Sequence, residues 1–129
     1  MNLRDFRNFT IRDYQSLFAK GELSPRELLE VFLQRIREVD PLLHAFLFVN
    51  ESGAFARAQK LEEETRSGNT RPPLWGMPIA IKDNICTLGI PTTCASRILS
   101  GYVPPYNATV VERLEAAGAI VLGKTNMDE

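Results

Sequence analysis

The sequence predicts an α/β fold in which amino-terminal helices precede the first strands of a sheet. Apolar residues recur at helical spacing through much of residues 1–66. After a polar linker, the pattern changes to strand, polar excursion, helix and strand. That order is typical of parallel strands joined by a crossover helix. We therefore predict a helical layer over residues 1–66 and the start of an α/β core over residues 67–129, as two parts of one domain.

The first two helices are marked by capping signals. Thr10 is predicted to cap a helix that stops at Gly21. Ser24 is predicted to cap the second helix, with Glu27 completing a capping box. Pro41 is expected to end this helix, because proline cannot supply the backbone N–H that a helix interior needs.

A short strand or extended segment is predicted over residues 43–49, followed by a third helix over residues 52–66. Glycine, asparagine and two prolines make residues 67–73 the strongest linker signal in the chain. The boundary between the two predicted parts is therefore placed at this linker.

The second part begins with an apolar run that predicts a buried strand over residues 77–82. A polar stretch punctuated by glycine and proline follows, over residues 83–105. Asn107 is predicted to cap a helix over residues 108–117. Residues 119–122 are all apolar and predict a second buried strand.

Composition excludes several classes of function. The 129 residues are enough for one modest domain, with 44% hydrophobic and 24% charged residues. The net charge of -1 gives no electrostatic reason to expect nucleic acid or an anionic membrane as a direct partner. No apolar run approaches the roughly 20 residues of a membrane helix. Residues 1–5 show no apolar signal core, so nothing in them indicates secretion.

Three residues with reactive side chains do not form a recognisable site. Cys86 and Cys94 lie eight residues apart, which favours free thiols in a reducing compartment over a disulfide or a CxxC motif. Either cysteine could be a nucleophile in principle, but His44 lies in an apolar stretch and is expected to be packed or partly exposed. These three side chains are too few for a metal site.

Residues 118–125 match the phosphate-binding pattern GxxxxGKT letter for letter. A phosphate-binding loop follows a strand and precedes a helix. Here a helix is predicted before Gly118, and the four variable residues favour a strand. The match is therefore interpreted as a helix stop, a buried strand and a turn at Gly123, with Lys124 structural or facing solvent.

The lysine at the end of the first strand is the main candidate for chemistry. Lysine is rarely placed next to a core unless it is paired or used. On a strand, Lys82 shares a face with Ala80, whereas Ile79, Ile81 and Asp83 point to the other face. Adjacent Asp83 is therefore not expected to pair with Lys82. The bland alternative is a strand-end lysine whose ammonium reaches solvent.

The second part of the chain resembles the amidase-signature hydrolases. The opening motif is LWGMPIAIKDNI at residues 74–85. Further matches follow in the order of that family, at residues 89–93, 108–114, 117–119 and 122–126. The resemblance is close over about the last 55 residues and looser over the preceding helices. It implies a mixed sheet covered by helices, of which this chain would hold an incomplete part.

The resemblance also implies a Ser–Ser–Lys triad with Lys82 as the base. Lys82 would take the proton of a bridging serine, which in turn activates a nucleophilic serine. A lysine can do this only when its amine is neutral, and burial at a strand end is the expected means. Both serines are expected in glycine- and serine-rich segments beyond residue 129. The chain alone is therefore expected to be inactive and unstable.

Within the family, residues 93–96 and 126–129 are most similar to the glutaminase component of tRNA-dependent amidotransferases. This resemblance implies glutamine as substrate and two partner subunits, B and C, with charged tRNA met only through the complex. It implies no cofactor here, ATP and Mg²⁺ being used by a partner, and a cytoplasmic or organellar location. A general amidase and a non-catalytic truncated interaction module are the alternatives.

Overall fold

The computed structural model describes residues 8–129. Residues 1–5, which the sequence predicts to hold no signal core, lie outside this range. Within it, the helices and strands in chain order are α1 (Ile11–Ala19), α2 (Pro25–Leu43), β1 (Phe46–Val49), α3 (Glu51–Arg66), β2 (Pro78–Lys82), α4 (Thr109–Ala116) and β3 (Ile120–Thr125). A short 3-10 helix, Arg97–Leu99, interrupts the long connection between β2 and α4. No described helix is long and apolar enough to span a membrane.

The three strands form one mixed sheet in the order β1-β3-β2. Central β3 runs antiparallel to β1 and parallel to β2. The parallel pair places Ile81 beside Lys124 and Lys82 beside Thr125. Helices followed by a mixed sheet confirm the predicted fold class. The division of the chain at residues 66 and 67 remains a prediction.

Hydrophobic side chains pack on both sides of this sheet. The larger cluster joins helices α1, α2 and α3 to Trp75 and to Ile120 and Leu122 of β3. The smaller cluster joins Val111 of α4 to Val121 on the opposite side of β3. Because Ile120 and Leu122 enter one cluster and Val121 enters the other, this part of β3 is buried on both sides.

Both predicted capping boxes are present. Thr10 and Asp13 exchange side-chain and backbone hydrogen bonds at the start of α1, and Ser24 and Glu27 do the same at α2. The predicted end of α2 is wrong, because the helix passes through Pro41 and closes at His44, whose φ is 52°.

The end of α2 is fixed by Asp40 and not by the proline. The His44 N–H donates to the Asp40 carbonyl at 2.8 Å, and the Ala45 N–H donates to the Asp40 carboxylate at 2.7 Å. The first is the last backbone bond of the helix, and the second satisfies the N–H of the residue that follows the cap. Pro41 removes one N–H donor, which a helix can tolerate when its last turn is held this way.

The predicted cap of the fourth helix is also wrong. Ala108 occupies the cap position of α4, and no side chain caps it. The side chain of Asn107 is engaged elsewhere: its Oδ1 accepts from the Leu88 N–H at 2.7 Å and its Nδ2 donates to Glu115 at 3.3 Å. Asn107 therefore ties the β2–α4 connection to the helix rather than starting the helix.

The phosphate-binding pattern has the inverted context that the sequence predicts. Gly118 follows α4 with φ at 92°, and strand β3 comes after it. A Cβ at Gly118 would lie 2.7 Å from the backbone Cα of Trp75, so this position requires glycine. The turn predicted at Gly123 is wrong, because Gly123 lies inside β3. A Cβ there would lie 2.9 Å from the Phe46 ring, which explains glycine in a buried strand.

Candidate active site

Lys82 is the last residue of β2 and its side chain is exposed. Alternation along the strand is as the sequence predicts, with Ile81 and Asp83 buried and Ala80 and Lys82 exposed. Within residues 8–129, the ammonium of Lys82 has no hydrogen bond or ion pair. The expected burial of Lys82 is therefore not provided by the described part of the chain, because no element covers the Ala80–Lys82 face at this end of the strand.

Lys124, in the neighbouring strand β3, is buried, in contrast to Lys82. Its side chain is 0% exposed, and it is the largest of the fully buried side chains in the described range. The ammonium donates to the Ile85 carbonyl and to the Thr92 hydroxyl, both at 2.9 Å. It also lies 3.4 Å from Oδ1 of Asp83. Of the two alternatives that the sequence left open, the structural role is right and the solvent-facing position is wrong.

Asp83 is buried beside that ammonium, with 1% of its surface exposed. Its Oδ2 accepts from the Thr93 N–H at 2.9 Å and from the Thr93 hydroxyl at 2.6 Å. Its Oδ1 accepts no hydrogen bond and faces Lys124 as the partner of an ion pair. The carboxylate therefore balances the buried positive charge and fixes the segment that returns to the end of β2.

Burial and charge act on Lys124 in opposite directions. Removal from water lowers the pKa of the Lys124 ammonium, because a low-dielectric surrounding disfavours the charged form. The nearby Asp83 carboxylate raises this pKa in part, and the burial effect is the larger of the two. A buried lysine held in this way has a defined position, but all its donors point into the protein and none points to a surface.

The turn after Thr93 has an unusual backbone. Cys94 and Ala95 both adopt left-handed conformations, with φ of 52° and 55°. This conformation costs free energy in a residue other than glycine, so the surroundings must hold it. The Cys94 N–H donates to the Asp83 carbonyl at 3.0 Å, which anchors the turn on the residue that follows Lys82.

Of the remaining candidates, the two cysteines lie close to the Lys124–Asp83 pair, whereas His44 takes no part in it. Cys86 and Cys94 are both free thiols, as the sequence predicts. The Cys86 thiol donates to the Tyr106 hydroxyl at 3.5 Å. His44 is exposed at the end of α2, where its carbonyl accepts from Asn126 at 3.0 Å.

Sequence reasoning missed the Lys124–Asp83 pair. A usable signal was present, because Lys124 continues an apolar strand and Asp83 lies on the buried face of another. A buried lysine needs a carboxylate. The parallel register that brings the two strand ends together is, however, not visible in the sequence.

Comparison with known proteins identifies relatives of this chain. The Amidase family model matches residues 27–129. The glutamyl-tRNA(Gln) amidotransferase A subunit of Symbiobacterium thermophilum is 56% identical over 88% of this chain, and that of Prochlorococcus marinus (strain NATL2A) is 51% identical over 93%. The chain spans only 23% and 25% of the lengths of these two relatives.

Solved structures of amidases share the fold. The native peptide amidase of Stenotrophomonas maltophilia superimposes with a TM-score of 0.91 and 37% identity, over 98% of this chain and 26% of the amidase. A bacterial aryl acylamidase of the amidase-signature family superimposes with a TM-score of 0.83 and 25% identity, over 92% of this chain and 25% of its own. The sequence resemblance over residues 74–126 is thereby confirmed, and this chain belongs to the amidase family.

Proposed function

We propose that this chain forms part of the glutaminase component of a tRNA-dependent amidotransferase, with Lys82 as the base of a Ser–Ser–Lys triad. The observation that favours this function over other amidases is the 51% to 56% identity to amidotransferase A subunits over about nine tenths of the chain. The solved peptide amidase reaches only 37% over a similar range.

The proposed chemistry begins with a neutral amine on Lys82. The amine takes the proton of a bridging serine, and that serine takes the proton of the nucleophilic serine. The nucleophilic oxygen then bonds to the amide carbon of glutamine, the C–N bond breaks, and the proton returns to the leaving nitrogen to give ammonia. Water hydrolyses the resulting acyl ester, which releases glutamate and restores the serine.

Lys82 is exposed in this chain, but its relatives are about four times longer and have further residues that could cover it. About three quarters of each relative lies outside the match with this chain. We propose that residues of that part cover the Ala80–Lys82 face and supply both serines. Covering would remove water from the Lys82 amine and favour its neutral form.

The same function implies an assembly. Ammonia released at this site would be used on a misacylated Glu-tRNA(Gln) or Asp-tRNA(Asn), a step of protein biosynthesis. We propose that B and C subunits bind the tRNA and use ATP and Mg²⁺, and that this chain needs no cofactor of its own. A cytoplasmic location accompanies this proposal.

Two chimeric proteins test the assignment. In the first, residues 1–129 replace the matching segment of the Symbiobacterium thermophilum relative, assembled with the other subunits of its complex; we call this the chimeric enzyme. In the second, they replace the matching segment of the Stenotrophomonas maltophilia peptide amidase. Packing across a buried boundary must be matched closely. We therefore expect the first chimera to release ammonia from glutamine at a rate within about tenfold of its parent. The second chimera should lose about 100-fold of its parent's rate on the peptide amidase substrate.

The parent proteins, assayed on their own substrates, are the controls for expression and assembly. A peptide amidase chimera that keeps its parent's rate beside an inactive chimeric enzyme would favour the general amidase and reject the amidotransferase assignment.

A further inference from the structure

The buried ammonium of Lys124 connects separate parts of the segment that follows β2. It reaches the Ile85 carbonyl and the Thr92 hydroxyl at 2.9 Å each and Asp83 at 3.4 Å. Two of the three N–H donors of the ammonium are therefore hydrogen-bonded, and its charge faces the Asp83 carboxylate. Lys124 itself lies in the central strand, whose neighbours on both sides fix its backbone.

Asp83 passes this restraint to the end of β2. Its carboxylate accepts two hydrogen bonds from Thr93 and faces Lys124. Its backbone N–H donates to the Thr125 carbonyl at 3.1 Å, and its carbonyl accepts from the Cys94 N–H at 3.0 Å. Both main-chain groups and the side chain of the residue after Lys82 are therefore held.

We propose that Lys124 is a positioning residue, which holds Asp83 and thereby fixes the direction in which adjacent Lys82 leaves the opposite face of β2. This inference rests on the proposed function, because it assigns a consequence to the orientation of Lys82. It goes further in naming a residue outside the triad on which the rate depends.

Within the described residues, only the backbone restrains the orientation of the Lys82 side chain. Its own side chain has no hydrogen bond or ion pair within residues 8–129, so nothing there orients the amine directly. A rotation of the peptide between Lys82 and Asp83 would swing the amine. The Asp83 N–H bond to Thr125 resists this rotation, and so do the contacts of the Asp83 carboxylate with Lys124 and Thr93. A displacement of about 1 Å at a catalytic group can lower a rate by about 100-fold.

A purely structural ion pair is the competing explanation. Buried pairs can often be replaced by neutral groups without loss of stability, whereas removal of one partner leaves an isolated charge. The double variant Asp83→Asn/Lys124→Met separates the two explanations, because it removes both charges together. A structural pair predicts normal turnover in the double variant, and a positioning role predicts reduced turnover.

The experiment compares kcat and KM for glutamine in the chimeric enzyme with Lys124→Met, with the double variant and with Val111→Ala. Val111 is fully buried on the same side of the sheet but has no part in the polar contacts, so its truncation is a control for lost stability. All rates are measured at a temperature at which each variant is folded. We expect kcat to fall about tenfold or more in both lysine variants, with KM within about twofold, and to stay within about twofold for Val111→Ala.

Normal kcat in the folded Lys124→Met variant or in the double variant would overturn the proposal. Equal losses of kcat in Lys124→Met and Val111→Ala would overturn it too. Should neither lysine variant fold, Thr93→Val decides, because it removes only the hydroxyl that donates to Asp83: a lower kcat supports positioning and an unchanged kcat rejects it. Failure of the proposed function is seen separately, as full activity of Lys82→Ala.

Discussion

Lys82→Ala in the chimeric enzyme is expected to abolish ammonia release from glutamine and to leave the fold intact. A general base contributes about 10²–10⁴-fold to a rate, and here the same amine also activates the nucleophile, so the loss should be at least of that order. The fold should tolerate the change because Lys82 belongs to neither hydrophobic cluster and has no polar partner within residues 8–129. Ammonia release and thermal unfolding of the same preparation give both results.

Two matched variants make this result specific. Lys60→Ala removes an exposed lysine from α3 and should keep the parental rate. Lys82→Arg keeps the positive charge but cannot lose its proton, so it should be as inactive as Lys82→Ala. Near-normal turnover of Lys82→Ala would reject the role of base, whatever the other variants do.

Lys124→Met is expected to lower the free energy of unfolding by about 3–5 kcal/mol, the usual effect of removing one partner of a buried pair. The reason is that the Asp83 carboxylate, 1% exposed, would be buried without the ammonium that faces it. Methionine has a similar length and no charge, so the change leaves little empty space. Urea unfolding of the chimeric enzyme measures the difference from the parent.

The double variant Asp83→Asn/Lys124→Met should recover much of that loss, by about 1–4 kcal/mol, because no isolated charge remains. Asparagine can still accept from the Thr93 hydroxyl. A Lys124→Met protein that unfolds at the parental urea concentration would contradict the structural role of the pair. The same conclusion would follow from a double variant no more stable than the single one.

Local signals in the sequence were sufficient for much of the fold. The capping boxes at Thr10 and Ser24 depend on residues only three apart, and both form. The alternation along β2 follows from the geometry of any strand, so Asp83 was correctly separated from Lys82. The predicted helix before Gly118 and strand after it likewise excluded a phosphate-binding loop.

The errors arose where distant residues decide the outcome. Lys124 meets Ile85 and Thr92, which lie 39 and 32 residues away along the chain. Gly123 lies inside a strand, where Phe46 and Phe48 of the neighbouring β1 leave no room for a Cβ. The Asn107 side chain bonds Leu88, 19 residues away, instead of capping its own helix. None of these contacts has a local pattern, since each depends on how the sheet is assembled.

The burial expected for Lys82 shows a different limit of prediction from the sequence. The apolar residues before it indicated a buried strand, and Ile81 is indeed 4% exposed. The opposite face of β2 is open in the described chain, which is why Ala80 and Lys82 are exposed. Large apolar side chains of the β2–α4 connection are exposed as well, including Leu88 at 54% and Ile98 at 91%.

A comparison of Lys82 and Lys124, which lie near the ends of neighbouring strands, tests most directly which lysine is the base. Urea unfolding and ammonia release are measured side by side for Lys82→Ala and Lys124→Met in the chimeric enzyme. If Lys82 is the base and Lys124 its support, Lys82→Ala will unfold like the parent and release no ammonia, whereas Lys124→Met will lose stability and retain reduced turnover. An active Lys82→Ala beside a stable, inactive Lys124→Met would make Lys124 the base instead.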